Sequence, residues 1–173
     1  QENRILGIKR GIEFISVPEN KITEENIYRL YMMTVGDFLP PEERLSEGKF
    51  YRDDMVYVVG EQVEHAGLAA EKVPEFMRAL VKFVNCDDDI NDLAKAAIVH
   101  FYVAYVHPYF DGNGRMARLL HLWFLVQKGY QSALFVPFSS RIQRTKKAYY
   151  AAFTQVEENR KYSGVIDVTP FVK

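Results

Sequence analysis

The chain has 173 residues, 48% of them hydrophobic and 26% charged, with a formal net charge of −1. That composition suits one globular domain able to bury roughly 70% of its unfolded surface, and it excludes a disordered chain. Scattered basic residues exclude a dedicated nucleic-acid binder, and the single cysteine, Cys86, excludes an internal disulfide and suits a reducing cytoplasm.

Ile5, Ile8, Ile12 and Ile15 recur at helical spacing, so residues 2–16 are predicted to form an amphipathic helix, broken at Pro18. Thr23, with Asn26 three positions on, opens a second helix through Ile27, Leu30, Tyr31 and Val35. Residues 37–50, with Pro40-Pro41 and Gly48, are irregular. Met55 to Val59 and Gln62 to His65 flank Gly60-Glu61 and predict a short hairpin. A helix over 71–85 offers Val73, Phe76, Met77, Leu80 and Val81 to the core. The acidic run Asp87 to Asp92 lacks the glycine of a calcium loop and reads as helix capping by Asp89 or Asn91.

Leu93 to Val106 is apolar almost all round, which marks a helix at the centre of the fold, ended by Pro108. Its stretch from Ala96 is interrupted by His100 and is too short to span a bilayer, and no secretory signal is visible, so no membrane association is expected. A further helix runs from about Asn113 to Lys128 and stops at Gly129. Ser140 with Gln143 reads as a capping box for a helix to about Asn159. Asp167 or Thr169 caps a last helix that has Pro170 in its first turn. The chain starts at Gln1 and stops one turn into that helix, so a single domain over 1–173, cut from a longer protein, is expected. The fold class is mainly α, a helical bundle with one hairpin.

Function concentrates in His107-Pro-Tyr-Phe-Asp-Gly-Asn-Gly-Arg-Met-Ala-Arg118, where one hydrophobic helix gives way to another. Glycines let backbone N–H groups approach a phosphate, and a helix N-terminus adds partial positive charge. Asp111 suits a divalent metal that bridges phosphates. Arg115 and Arg118, three apart, share one side of a helix and suit bidentate grip on phosphate oxygens. An imidazole at His107 titrates near neutrality, as a general base requires.

This stretch resembles the signature of Fic domains, H-P-F-x-[DE]-G-N-G-R-x-x-R, and departs from it only at Tyr109, where phenylalanine is usual. A phenol buried there needs a hydrogen-bond partner. The segment Gly48-Lys-Phe-Tyr-Arg52, the hairpin and the Tyr149-Tyr150 helix extend the resemblance over nearly the whole chain. It implies the Fic fold, a helical bundle with a β-hairpin flap, and a protein adenylyltransferase: AMP passes from ATP to a Ser, Thr or Tyr hydroxyl, with autoAMPylation or de-AMPylation as related outcomes.

In the roles the resemblance implies, His107 is the base and Asp111 binds Mg²⁺ or Mn²⁺. Gly112, Asn113 and Gly114 form an anion hole through backbone donors and the asparagine amide, and Arg115 and Arg118 hold the outer phosphates. Val59 and Gly60 of the flap and Tyr149 and Tyr150 contact the nucleotide, and the target protein docks on the hairpin over 55–65. Gly114 stands where the phosphate-transferring Doc branch has lysine, and Arg118 is absent from phosphocholine-transferring relatives, so both favour nucleotidyl transfer from a triphosphate. Glu157 replaces an asparagine often found in relatives.

Many Fic proteins carry an inhibitory helix with the pattern [ST]-x-x-x-E-[GN]. Thr154-Gln-Val-Glu-Glu158-Asn159 matches it, although it lies early for such a helix. An inhibitory segment upstream of residue 1 is therefore the expectation. Two other functions are open: a nucleotide-binding or protein-interaction module with little turnover, and a metal-dependent phosphohydrolase built from His100, His107, Asp111 and His121. The latter leaves Gly112 to Arg115 unexplained. His65 and His121 read as structural or exposed.

Overall fold

A computed structural model describes residues 2–59 and 64–172. Its helices, in chain order, are α1 (Glu2–Ile15), α2 (Glu24–Thr34), α3 (Val73–Asn85), α4 (Asp92–Val106), α5 (Asn113–Gln127), α6 (Phe138–Arg144), α7 (Lys146–Ser163) and α8 (Thr169–Val172). Strands β1 (Tyr57–Val59) and β2 (Glu64–Ala66) pair antiparallel, with Tyr57 opposite Ala66 and Val59 opposite Glu64.

The all-round apolarity of α4 has a two-sided cause. Ala96, Val99, Val103 and Val106 share one face at helical spacing and pack with Met116, Ala117, Leu120 and Trp123 of α5, all essentially without exposure. On the opposite side Phe101 and Tyr105 pack with Val156 of α7, supported by Phe153, Val168 and Phe171. Each large apolar side chain buried this way stabilises the fold by about 1.5–3 kcal/mol. The α4–α5 pair thus forms the axis, and the loop joining them carries residues 107–112.

Local choices follow side-chain chemistry. Thr23 caps α2 by accepting from the Asn26 N–H, and Asn91, not Asp89, caps α4 by accepting from the N–H groups of Leu93 (3.0 Å) and Ala94 (3.3 Å). Within the acidic turn Asp88 has a different partner. The Lys95 ammonium, 1% exposed, lies 2.8 Å from the Asp88 carboxylate and 2.8 Å from the Cys86 carbonyl, under the Phe83 ring. Asp167 Oδ1 accepts from the Thr169 N–H at 3.0 Å and starts α8.

Three sequence expectations are corrected. The isoleucine stripe does not seat α1 along its length: Ile5 is 67% and Ile8 40% exposed. Helix α1 instead docks through Gly7 and Gly11, where an added Cβ would fall 2.5 Å from Phe38 and 2.4 Å from Thr34. Ser140 caps nothing. Helix α6 starts earlier, at Phe138, and the chain breaks at Thr145 before α7, so the single long helix is two. Strand β1 starts at Tyr57 rather than at the predicted Met55, whose N–H donates to the Asp54 carboxylate at 2.7 Å, and β2 runs on to Ala66, one residue past the predicted His65. The turn at Gly60-Glu61-Gln62 lies outside the described residues. Among those described, no helix is long and apolar enough to cross a membrane.

Candidate active site

The α4–α5 loop opens on His107, which caps α4 in the left-handed region (φ 54°, ψ 61°) and is the one non-glycine with positive φ among the described residues. A histidine in that region is uncommon and points to a surrounding structure that holds it. Its backbone N–H still donates to Val103 O at 3.0 Å, and its ring Nδ1 lies 3.0 Å from Ala104 O. A carbonyl facing Nδ1 selects the Nδ1–H tautomer, so Nε2 is the nitrogen with the lone pair.

From Tyr109 to Asn113 the loop braces itself. The Asn113 side chain, 3% exposed, accepts from the Tyr109 N–H (2.9 Å) and donates to the Tyr109 carbonyl (2.7 Å). Its carboxamide is therefore engaged in shaping the loop. Gly112 (φ 81°) is required twice over: by its backbone region, and because a Cβ would lie 2.6 Å from Val35. The first α5 hydrogen bond runs from Met116 N to Gly112 O at 2.9 Å. The N–H groups of Asn113, Gly114 and Arg115 therefore project from the helix start without partners among the described residues. At Gly114 an added Cβ would meet only Arg118, at 3.5 Å, so nothing bulky closes over these donors.

Around that helix start stand the charged groups. Asp111 is exposed and makes no hydrogen bond among the described residues. One open carboxylate beside unpartnered N–H groups has the chemistry that suits Mg²⁺, which takes few protein ligands and fills the rest with water or ligand oxygens. Arg115 is half-buried and donates to the Thr34 carbonyl at 3.1 Å, which anchors it to the end of α2. Arg118 is half-buried, and desolvation pulls its pKa down while the Tyr149 and Tyr150 phenols oppose that. A cavity of about 680 Å³ runs beside these arginines between Ile8, Ile12, Leu122 and Phe138. His107 and Asp111 are not in its walls, so it adjoins the start of α5 rather than enclosing it.

The structure separates the two tyrosines. The Tyr149 hydroxyl lies 2.9 Å from His100 Nε2, and its pKa is pushed up to about 12, chiefly by burial. Tyr150 is 50% exposed, with the Lys146 ammonium 5.9 Å over its ring. Val59 ends β1, and Gly60 lies outside the described residues. Glu158 is exposed on α7, nine residues beyond Tyr149 and so about 13 Å along the helix. Arg118 has no ion pair with it.

The histidine hydrolase does not assemble. His100 is bonded to Tyr149, and His121 Nδ1 lies 3.0 Å from Ala96 O; both are buried, which pulls their pKa values down, for His100 to about 3. Among the described residues no group of three His, Cys, Asp or Glu could hold a metal.

Sequence reasoning passed over Arg52, which is 2% exposed. Its Nε donates to His107 O at 2.7 Å, and its backbone N–H donates to Pro108 O at 3.0 Å. Its place in Gly48–Arg52 marked it as part of the resemblance but not as a neighbour of the histidine loop. The end of α2 was missed too, since no pattern announces that a Thr34 carbonyl will hold Arg115.

Three comparisons bear on this arrangement. The model of the Fic/DOC family matches residues 21–125. Over 178 aligned residues the chain is 29% identical to the protein adenylyltransferase Fic of Drosophila ananassae and 27% identical to that of Drosophila grimshawi, with all of this chain covered. It spans only 31% and 32% of those relatives' lengths. Among solved structures, a Fic family protein from Desulfovibrio desulfuricans G20 superposes with TM-score 0.76 at 22% identity, over 96% of this chain and 48% of that one. Fic-1 from C. elegans superposes with TM-score 0.63 at 23% identity, over 98% and 45%.

Proposed function

The chain belongs to the Fic/DOC family, and on that premise we propose that it is a protein adenylyltransferase, transferring AMP from ATP to a Ser, Thr or Tyr hydroxyl of a target protein. The observation that carries this is the pairing of His107, its Nδ1 held to Ala104 O, with the open N-terminus of α5 two turns of loop later. In the reaction, His107 Nε2 takes the hydroxyl proton and the hydroxyl oxygen bonds to the α-phosphorus. The bond from that phosphorus to the bridging oxygen breaks, and pyrophosphate leaves with the electron pair.

The backbone N–H groups of Asn113, Gly114 and Arg115 face the charge that develops on the α-phosphate, where fixed donors contribute most. Arg115 and Arg118 grip the outer phosphates. Asp111 would hold Mg²⁺, which would neutralise phosphate charge. Tyr150 and the end of β1 at Val59 line the nucleoside, and Tyr149 supports Tyr150 from the core side; Gly60, expected there too, lies outside the described residues. The strand pair at 57–59 and 64–66 offers backbone donors and acceptors to an extended target segment.

Incubation with Mg²⁺ and ATP labelled at the α- or the γ-phosphate tests this reading. Transfer of the α label alone is expected, with a fall of about 10²–10⁴-fold in His107→Ala. Transfer of the γ label would identify a kinase. Tight ATP binding with neither label transferred would identify a binding module.

A further inference from the structure

We propose that Arg52 is a positioning residue for His107, a clamp that holds the base's backbone in its left-handed conformation and fastens it to both roots of the strand pair. The proposal rests on His107 acting as the base. The guanidinium of Arg52 is buried, yet it donates to no carboxylate among the described residues. Its donors go to backbone carbonyls instead: Nε to His107 O at 2.7 Å, Nη1 to Asp54 O at 2.7 Å, and Nη2 to Leu68 O, with Val106 O at 3.5 Å. Val106 and His107 end α4, so the cation sits against the negative end of that helix dipole and satisfies carbonyls the helix leaves over. Asp54 and Leu68 lie just before β1 and just after β2.

Only a guanidinium meets this geometry. Its planar fork presents five N–H donors in fixed directions, whereas an ammonium is a single point on a flexible stem. Space is kept for it as well, since a Cβ on Gly67 would fall 3.1 Å from Arg52 Nη2. With the carbonyl held by Nε and the N–H bonded to Val103 O, both backbone polar groups of His107 are fixed, and the ring is left to meet Ala104 O. Without the clamp, His107 relaxes from a left-handed backbone region that non-glycine residues rarely occupy.

The test compares wild type, Arg52→Lys, which retains charge, and Arg52→Met, which retains bulk. AMP transfer is measured at varied ATP, and the histidine tautomers are read without nucleotide from long-range ¹H–¹⁵N spectra. Both variants are expected to lose kcat by about 100-fold while the KM for ATP stays within about threefold. The His107 signal is expected to report the Nδ1–H form in wild type and to leave it in both variants. An unchanged kcat with an unchanged tautomer would overturn the proposal. Unfolding of both variants at 20 °C would also overturn it, assigning Arg52 to the fold as a whole. If wild type itself transfers no AMP but the His107 spectrum responds to Arg52 as described, the clamp stands and the adenylyltransferase reading fails.

Discussion

Tyr109 is the one residue of the 107–118 segment that departs from the Fic signature, and its phenol has found no partner. Its ring stacks on Tyr31, centroids 3.8 Å apart and 6° from parallel, and both hydroxyls are buried without a hydrogen bond among the described residues. A buried unpaired hydroxyl costs about 1–3 kcal/mol. Tyr109→Phe is therefore expected to raise the melting temperature by about 2–12 °C in thermal unfolding, since each kcal/mol moves a chain of this size by about 2–4 °C. An unchanged or lower melting point would show that the hydroxyl does have a partner. The twelve residues announced the family, whose match over residues 21–125 contains them, because the signature fixes most of their positions. They did not announce Asn113's employment, because a carboxamide that shapes a loop and one that binds an anion look alike in sequence.

Among elements, the α1–α2 seam connects packing to the site. Helix α1 meets α2 at Gly7 and Gly11, and the last residue of α2, Thr34, holds Arg115 through its carbonyl. In Gly11→Ala two effects compete. Replacing a mid-helix glycine gains up to about 1 kcal/mol of helix propensity, but the new methyl falls 2.4 Å from the Thr34 side chain, and overpacking costs about 1–3 kcal/mol. A net loss of about 1 kcal/mol in chemical denaturation is expected, with a severalfold rise in the KM for ATP as Thr34 shifts. Stability and KM both unchanged would mean that α2 absorbs the methyl elsewhere. The isoleucine periodicity of α1 correctly indicated a helix but not its docking face, because glycines carry no hydrophobic signal. A similar gap turned α6 and α7 into one predicted helix: Ser140 and Gln143 have the spacing of a capping box, but Thr145 leaves the helical backbone region (φ −112°, ψ 26°) while its hydroxyl donates to Arg141 O at 3.0 Å.

For the molecule as a whole, α4 and α5 were legible because a helix buried on both sides has no polar face to confuse the reading. The same enclosure makes stability depend on pH. His100 and His121 are held neutral by burial, with folded pKa values below the roughly 6.5 of an unfolded chain. Protonation thus favours unfolding: the stabilisation is fully present above about pH 6.5 and is lost as pH falls toward 3 for His100. The loss reaches at most about 1.4 kcal/mol per pH unit for each histidine. Denaturant midpoints at pH 7 and pH 5 should differ in that direction, and coincident midpoints would place the imidazoles in contact with water. The sealed ammonium of Lys95 has a practical corollary. Amine-reactive labels should mark the surface lysines quickly and spare this one until α3, α4 and α5 part, so the appearance of its adduct by peptide mass mapping would time the opening of the entire molecule.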